Sequence, residues 1–327
     1  FVQKRKIAVF VILFFVLCNL FWLTDSRTTR RGRSVTFTSN QTVILERSTK
    51  KIEQDLAQSN LIGALSHNRR IEYFTKYIDN YLKHFDLNYL FVTGDIARHH
   101  APGMGVLYLL DFPAIIFGMI MTVRNRVSRI WFVYFWMLIA PLASALAVDA
   151  PNASRSMIIL PTFQIFAAFG WYYIFLKMKE LRLRNFIMFG FVVLFFVNFY
   201  YYIHQYFNLT NFEYSKYWQY GYKEVVEATR DSTQNVFYLK DIEQSYIFYL
   251  FYTKYNPEKY QSNVESGRIT ASCFQIKNNF FGECNTRFKQ GDIIITSKVS
   301  EVPYGVKTIK TIEYNDKTPA IKIFQKL

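Results

Sequence analysis

The sequence predicts an α-helical polytopic membrane protein of about five transmembrane helices, with an extracytoplasmic loop and a C-terminal extracytoplasmic α/β domain. Three observations carry the prediction. Five apolar stretches, residues 7–23, 106–121, 130–148, 156–176 and 186–207, are nearly free of charge, and each approaches the ~20 residues that a helix needs to cross about 30 Å of hydrocarbon. The links between them alternate in charge, as the positive-inside rule requires of successive crossings. The last third of the chain changes character, with short β-rich runs set among helical ones.

The first stretch follows Lys4-Arg5-Lys6 and is not followed by a small-residue cleavage site, so 1–24 reads as a transmembrane helix rather than a signal peptide. The chain begins with Phe rather than Met, and the expectation is that an N-terminal part of a larger protein precedes it. Arg124, Arg126 and Arg129 separate the second and third stretches, and Lys177, Lys179, Arg182 and Arg184 separate the fourth and fifth. If each stretch crosses once, these clusters share the cytoplasmic side with Lys4 to Lys6. That leaves 25–105, the short link 149–155 and the tail 208–327 outside, with 106–207 as a four-helix transmembrane region.

Composition agrees: 51% of residues are hydrophobic and 19% aromatic, yet the outer segments are polar. The net charge of +15 sits on cytoplasmic flanks and is scattered through the outer segments, which suits anionic lipid head groups and not nucleic acid. Cys18 falls in the first stretch. Cys273 and Cys284 face outward, where a disulfide or two free thiols are both open. No Cys/His spacing of the zinc kind occurs, so no metal site is expected.

In the outer loop, 34–45 reads as extended and 46–59 as a charged helix. Along 67–85, Ile71, Phe74, Tyr77, Ile78, Tyr81, Leu82 and Phe85 recur at three- and four-residue spacing. Such a helix suits the head-group boundary or packing on the protein's own outer domain. Next comes a loop, 88–108, punctuated by Gly94, Pro102, Gly103 and Gly105 and carrying Asp95, Arg98, His99 and His100. A cationic cluster at a membrane mouth suits a lipid-linked phosphate, because Arg offers a planar fork of donors and His a titratable one. The alternative is a polar loop end that anchors the next helix. Asp111 lies one turn into the second stretch, hydrated or facing a partner, and Pro113 is expected to kink that helix. In the link 148–170, Pro151 stops one helix, Asn152 or Ser154 can cap the next, and Arg155 stands at the outer face. Arg155 pairs with Asp149 or contacts a lipid phosphate.

The tail reads as α/β: helices at 221–231 and 244–255, strands at 235–240, 292–297, 306–314 and 320–327. Roughly 110–120 residues suffice for one small domain. It carries no Ser/His/Asp arrangement, paired acids or Gly-rich phosphate loop, which points to a support or acceptor-binding module. Asn-x-Ser/Thr triplets stand at Asn40, Asn152 and Asn208, of consequence only in a host that glycosylates them.

Several stretches together resemble the C-terminal half of membrane glycosyltransferases of the GT-C superfamily, of the dolichyl-phosphate-mannose protein mannosyltransferase and aminoarabinose transferase type (glycosyltransferase family 39). The carrying stretches are YLKHFDLNYLFVTGDIARHH with PGMGVLYLLDFP, then APNASRSMIILPTFQIFAAFG, then WQYGYKEVVEATRD with SYIFYLFYTKYNPEKYQ. They cover much of 81–170 and 217–261. The resemblance implies transfer of a sugar from a polyprenyl-phosphate donor to an acceptor lipid, glycan or protein at the outer membrane face, with no cofactor evident. The base of such enzymes is an acidic residue of the first extracytoplasmic loop, to which nothing here corresponds, so Asp95 is not given that role. Arg98, His99 and His100, and Arg155 in the later link, resemble positions on the donor-phosphate side. Asn152 stands where many relatives have His. A transporter would need polar groups near the midplane, where the stretches offer only Asn19, Gln164 and Asn198. A membrane-anchored extracytoplasmic binding or assembly protein without catalysis is the alternative.

Overall fold

The computed structural model describes residues 14, 32, 35–38, 41–179, 182–265, 273–284 and 287–327. The chain divides into two compact units, one running to Tyr201 and the other from Tyr202 onward. The stretch 7–23 with Cys18, apart from Phe14, and the triplet at Asn40 lie outside the described residues.

The first unit is helical. Helices α1 (Gln41–Ala57), α2 (Leu61–Ser66) and α3 (Arg69–Leu82) build its N-terminal described segment. α1 begins inside the run expected to be extended; only a single antiparallel bridge, Thr36 to Ala147, keeps that character. The Glu/Lys spacing of 46–59 carries the helix back over 41–45, because propagation costs less than a new start. Helix α2 is capped by Asn60, which accepts from the Gly63 amide, and α3 by Asn68, which accepts from the Arg70 amide at 2.9 Å. After α3 come a 3₁₀ turn, Lys83–Phe85, and a π turn, Asn88–Val92.

The second and third apolar stretches are shorter as helices than their sequence suggests. α4 runs Phe112–Arg124 and α5 Ile130–Ile139, about 20 and 15 Å at 1.5 Å per residue. Pro113 occupies the first turn of α4, where a missing N–H costs nothing, so it starts a helix instead of kinking one. α5 ends just before Pro141. By contrast Ala153–Met178 forms 26 residues of continuous apolar helix, and Arg184–Glu213 forms 30. The first comprises α6 (Ala153–Ser156), a 3₁₀ turn and α7 (Leu160–Met178); the second opens with α8 (Arg184–His204) and closes with α9 (Thr210–Glu213). Among the described residues, two helices rather than five are long and apolar enough to cross a membrane.

α4 and α7 touch backbone to backbone. A β-carbon on Gly118 would fall 1.9 Å from the Phe166 carbonyl oxygen, and one on Gly170 would fall 1.8 Å from that of Ala114. Ala114 and Gly118 on α4 and Gly170 on α7 leave no side chain in the way of that approach. Asp111 is not merely hydrated: Trp171 on α7 donates its indole N–H to it at 3.0 Å. The buried core of this unit joins Tyr89, Leu90 and Phe91 of the π turn to Ile115, Ile130, Met137, Phe163 and Phe166.

The second unit is the α/β domain. Its six-stranded sheet has the order β2-β3-β1-β4-β6-β5, built from β1 (Val236–Tyr238), β2 (Cys273–Ile276), β3 (Asn279–Gly282), β4 (Ile293–Thr296), β5 (Val306–Glu313) and β6 (Pro319–Lys326). β1 lies parallel between β3 and β4, and the remaining pairs are antiparallel. Helices α10 (Tyr222–Thr229) and α11 (Ser245–Tyr252) cover it, with α12 (Pro257–Glu265) following. Val225, Val226, Tyr238, Ile295, Ile321 and Ile323 form its buried core. Cys273 and Cys284 are joined in a disulfide that closes the β2–β3 hairpin.

Candidate functional site

Helix α3 and the turn after it are held to the 138–156 stretch by a run of polar contacts. Tyr77 and Tyr81 of α3 donate to the carbonyls of Leu142 and Leu138 at 3.1 and 2.9 Å, groups that the end of α5 leaves without helical partners. Asn80 donates to the Ala145 and Ala147 carbonyls at 3.0 and 3.3 Å. His84, fully buried, lies 2.9 Å from the Asn80 carbonyl through Nδ1 and 2.8 Å from the Ser144 hydroxyl through Nε2. A carbonyl only accepts, so Nδ1 carries the proton and Nε2 accepts from Ser144. Burial pushes the His84 pKa down, against weaker upward pulls from its backbone contacts and from Asp95. The neutral ring therefore belongs to the folded state.

The same logic builds the loop that follows. Asp95 is almost wholly buried, its side chain 2% exposed. Its Oδ2 accepts from the Ala153 backbone N–H at 2.7 Å, at the head of the long apolar helix, and lies 2.6 Å from His99 Nδ1. An anionic oxygen suits that position because the free amides of a helix start point at it. Its Oδ1 is buried with no hydrogen-bond partner. Asn152 caps the same helix start: its Oδ1 accepts from the Arg155 amide at 3.0 Å and from the Ser154 hydroxyl at 2.8 Å, and its Nδ2 donates to Asp149 at 2.8 Å. Ser156 donates to the Asn152 carbonyl at 2.8 Å and so receives the Tyr89 hydroxyl, 3.1 Å away. Burial also raises the Tyr89 pKa, which keeps that phenol protonated.

The six residues singled out from the sequence thus divide. Asp95 and Asn152 are buried and spent on the helix start. His100 faces inward, with Nδ1 2.9 Å from the Ala101 carbonyl and Nε2 3.3 Å from that of Asp95. Gly94 beneath it has φ of +66°, and a β-carbon there would fall 2.5 Å from the imidazole. His99 is partly exposed and turns Nδ1 to Asp95. Arg155 pairs with Asp149 while 38% of its side chain stays exposed. Arg98 is exposed, and among the described residues it has neither a hydrogen-bond nor an ion-pair partner. The Asp95–Ala153 bond brings the two arginines' segments together, with Arg98 three residues beyond the acceptor and Arg155 two beyond the donor.

Sequence reasoning passed over Tyr89, Asn80, His84, Ser144 and Ser156. Asn80 and His84 did leave a trace, being polar residues one turn apart beside an apolar stripe. Among the described residues, no group of three or more His, Cys, Asp or Glu is placed to hold a metal ion. In the second unit, Asp241 gives one carboxylate oxygen to the Thr296 and Ser297 hydroxyls, at 2.8 and 2.7 Å, and to the amides of Ser297 and Lys298. That carboxylate fastens the ends of neighbouring parallel strands. Compared with protein-family models, with curated proteins and with solved structures, the chain gives no match, so fold and site are argued from its own residues.

Proposed function

We propose that this chain is the C-terminal part of an integral membrane glycosyltransferase that takes a sugar from a polyprenyl-phosphate donor and passes it to an acceptor on the outer membrane face. The observation that carries the reading is the exposed Arg98, without an ion-pair or hydrogen-bond partner among the described residues, on a loop locked by Asp95 to the head of the long apolar helix that carries Arg155. A guanidinium held at the mouth of such a helix can neutralise charge that builds on a departing phosphate. His99 stands in the same loop as a further polar contact. No residue of the chain is assigned as catalytic base.

Membrane placement is supported by α8, which has no buried residue although Phe, Val, Leu and Tyr dominate it. A helix satisfies its own backbone hydrogen bonds, so hydrocarbon is the solvent that such a surface suits. The basic link Lys177, Lys179, Arg182 and Arg184 between the two long helices supports a cytoplasmic place for that link and an outer one for the Arg98 loop. The Cys273–Cys284 disulfide fits an oxidising compartment for the second unit.

The test is sugar transfer from a radiolabelled polyprenyl-phosphate sugar in membranes holding the protein as its gene encodes it. Arg98→Ala is expected to reduce transfer 10- to 100-fold or more, on the ~1.5–3 kcal/mol of a charge-assisted contact. Arg155→Ala is expected to cost less, because Asp149 already shares that guanidinium. Transfer unchanged in both variants would remove the donor-phosphate assignment. The second reading, a membrane-anchored binding protein, is favoured by one observation, the self-contained core of the α/β unit. Absence of transfer from any such donor, with ligand capture by residues 208–327, would support it.

A further inference from the structure

Helix α3 presents three faces, and only one is used by the protein. Tyr73, Tyr77, Asn80 and His84 point at the 138–147 stretch or its neighbours, through the hydrogen bonds already described and the Phe37–Tyr73 ring contact. Lys76, Asp79 and Lys83 form a second, ionic face, with Lys83 2.7 Å and Lys76 3.5 Å from Asp79. The third face carries Ile71, Phe74, Ile78 and Leu82 at three- and four-residue spacing, all exposed, Phe74 by 64% and Leu82 by 59%.

Two features decide what covers that stripe. The hydroxyls of Tyr77 and Tyr81 bind α3 to the carbonyls of Leu142 and Leu138, at and just beyond the end of α5, an apolar helix whose Phe135 and Leu138 near that end are themselves exposed. The stripe therefore continues an apolar surface that suits lipid. The rest of the helix has the layout of an interfacial segment, because Arg69, Arg70, Lys76 and Lys83 outnumber Glu72 and Asp79. Glu72 is moreover engaged by Lys51 at 2.6 Å. A cationic surplus beside an apolar stripe matches anionic head groups above acyl chains.

We infer that α3 lies in the head-group boundary of a lipid bilayer, with Ile71, Phe74, Ile78 and Leu82 turned into the acyl region and the Lys76–Lys83 face in water. The inference rests on the membrane placement proposed above and is independent of any sugar transfer. Its test uses the whole chain, with Cys18 replaced by Ser, in nanodiscs of phosphatidylcholine and phosphatidylglycerol. Nitroxide labels at Phe74→Cys, Lys76→Cys and Phe196→Cys are compared for relaxation by oxygen, which partitions into lipid, and by a nickel chelate, which stays in water. The expected result is oxygen-dominated relaxation at 74 and 196 and nickel-dominated relaxation at 76. A nickel-dominated label at 74 overturns the inference in favour of a solvated stripe. A label at 74 shielded from both agents overturns it in favour of a protein partner. A nickel-dominated label at 196 overturns the membrane placement itself, and the two failures are thereby told apart. All three positions are surface sites, and matching circular dichroism to the unlabelled chain checks that each variant is folded.

Discussion

Strand β4 and helix α8 are both strongly apolar, yet every residue of Ile293–Thr296 is buried and none of Arg184–His204 is. Composition does not separate them; backbone hydrogen bonding does. A strand must find neighbours for its amides and carbonyls, and β4 finds them in β1 and β6, which also bury its side chains. A helix closes its hydrogen bonds within itself and can leave its side chains to the solvent that suits them. The two units therefore respond to different perturbations.

The sharpest way to break the contrast is to push α4 and α7 apart. Gly118→Val or Gly170→Val places side-chain carbon where a carbonyl oxygen already sits. Because overpacking typically costs 1–3 kcal/mol and here the obstacle is backbone, a loss of ~3 kcal/mol or more is expected. Thermal unfolding in detergent should show the helical unit failing while the sheet unit melts unchanged. Next in size, Cys273→Ser with Cys284→Ser removes a cross-link spanning 11 positions, worth about 3 kcal/mol on loop entropy. Denaturation followed by fluorescence of the second unit should fall by that amount, with the α4–α7 pair unaffected. Asn152→Ala strips the cap from the long apolar helix and is expected to cost ~1 kcal/mol of first-unit stability, read as a lower unfolding midpoint of that unit alone. The smallest effect is a pH dependence confined to the first unit. Burial holds the His84 pKa below its ordinary value of 6.5. Stability is therefore complete above that value and declines as pH falls from it toward and through the folded value, because the unfolded chain takes up the proton first. Unfolding at pH 7.5 and 5.5 should show the decline, and His84→Gln should flatten it.

Much of the fold was readable where periodicity is local. The 67–85 helix lies at Arg69–Leu82, and the strands expected at 292–297, 306–314 and 320–327 fall on β4, β5 and β6. The Asn152 cap followed from its place after Pro151. The β2–β3 hairpin and α12 were missed, because four-residue strands with one polar position each leave almost no periodic signal. Apolar length overstated α4 and α5, since hydropathy counted the residues before Phe112-Pro113, where α4 begins, and those from Pro141 onward, past the end of α5. At the candidate site, residue type marked Arg98 and Arg155 as cations, and both keep exposed side chains. The work done by Asp95, Asn80 and His84 was not readable, because their partners lie 58 to 67 positions away.

Those separations also set a schedule. The groups that hold α3 and the loop after it, from Leu138 through Ser144 and Ala147 to Ala153, are all made after the segment itself. A ribosome adding roughly 5–20 residues per second needs about 3–13 s to supply them. During that interval the newly made 69–99 stretch has neither its latch nor its cap acceptors. The arginine-bearing loop thus gains its Asp95–Ala153 bond only once the chain has been made as far as Ala153.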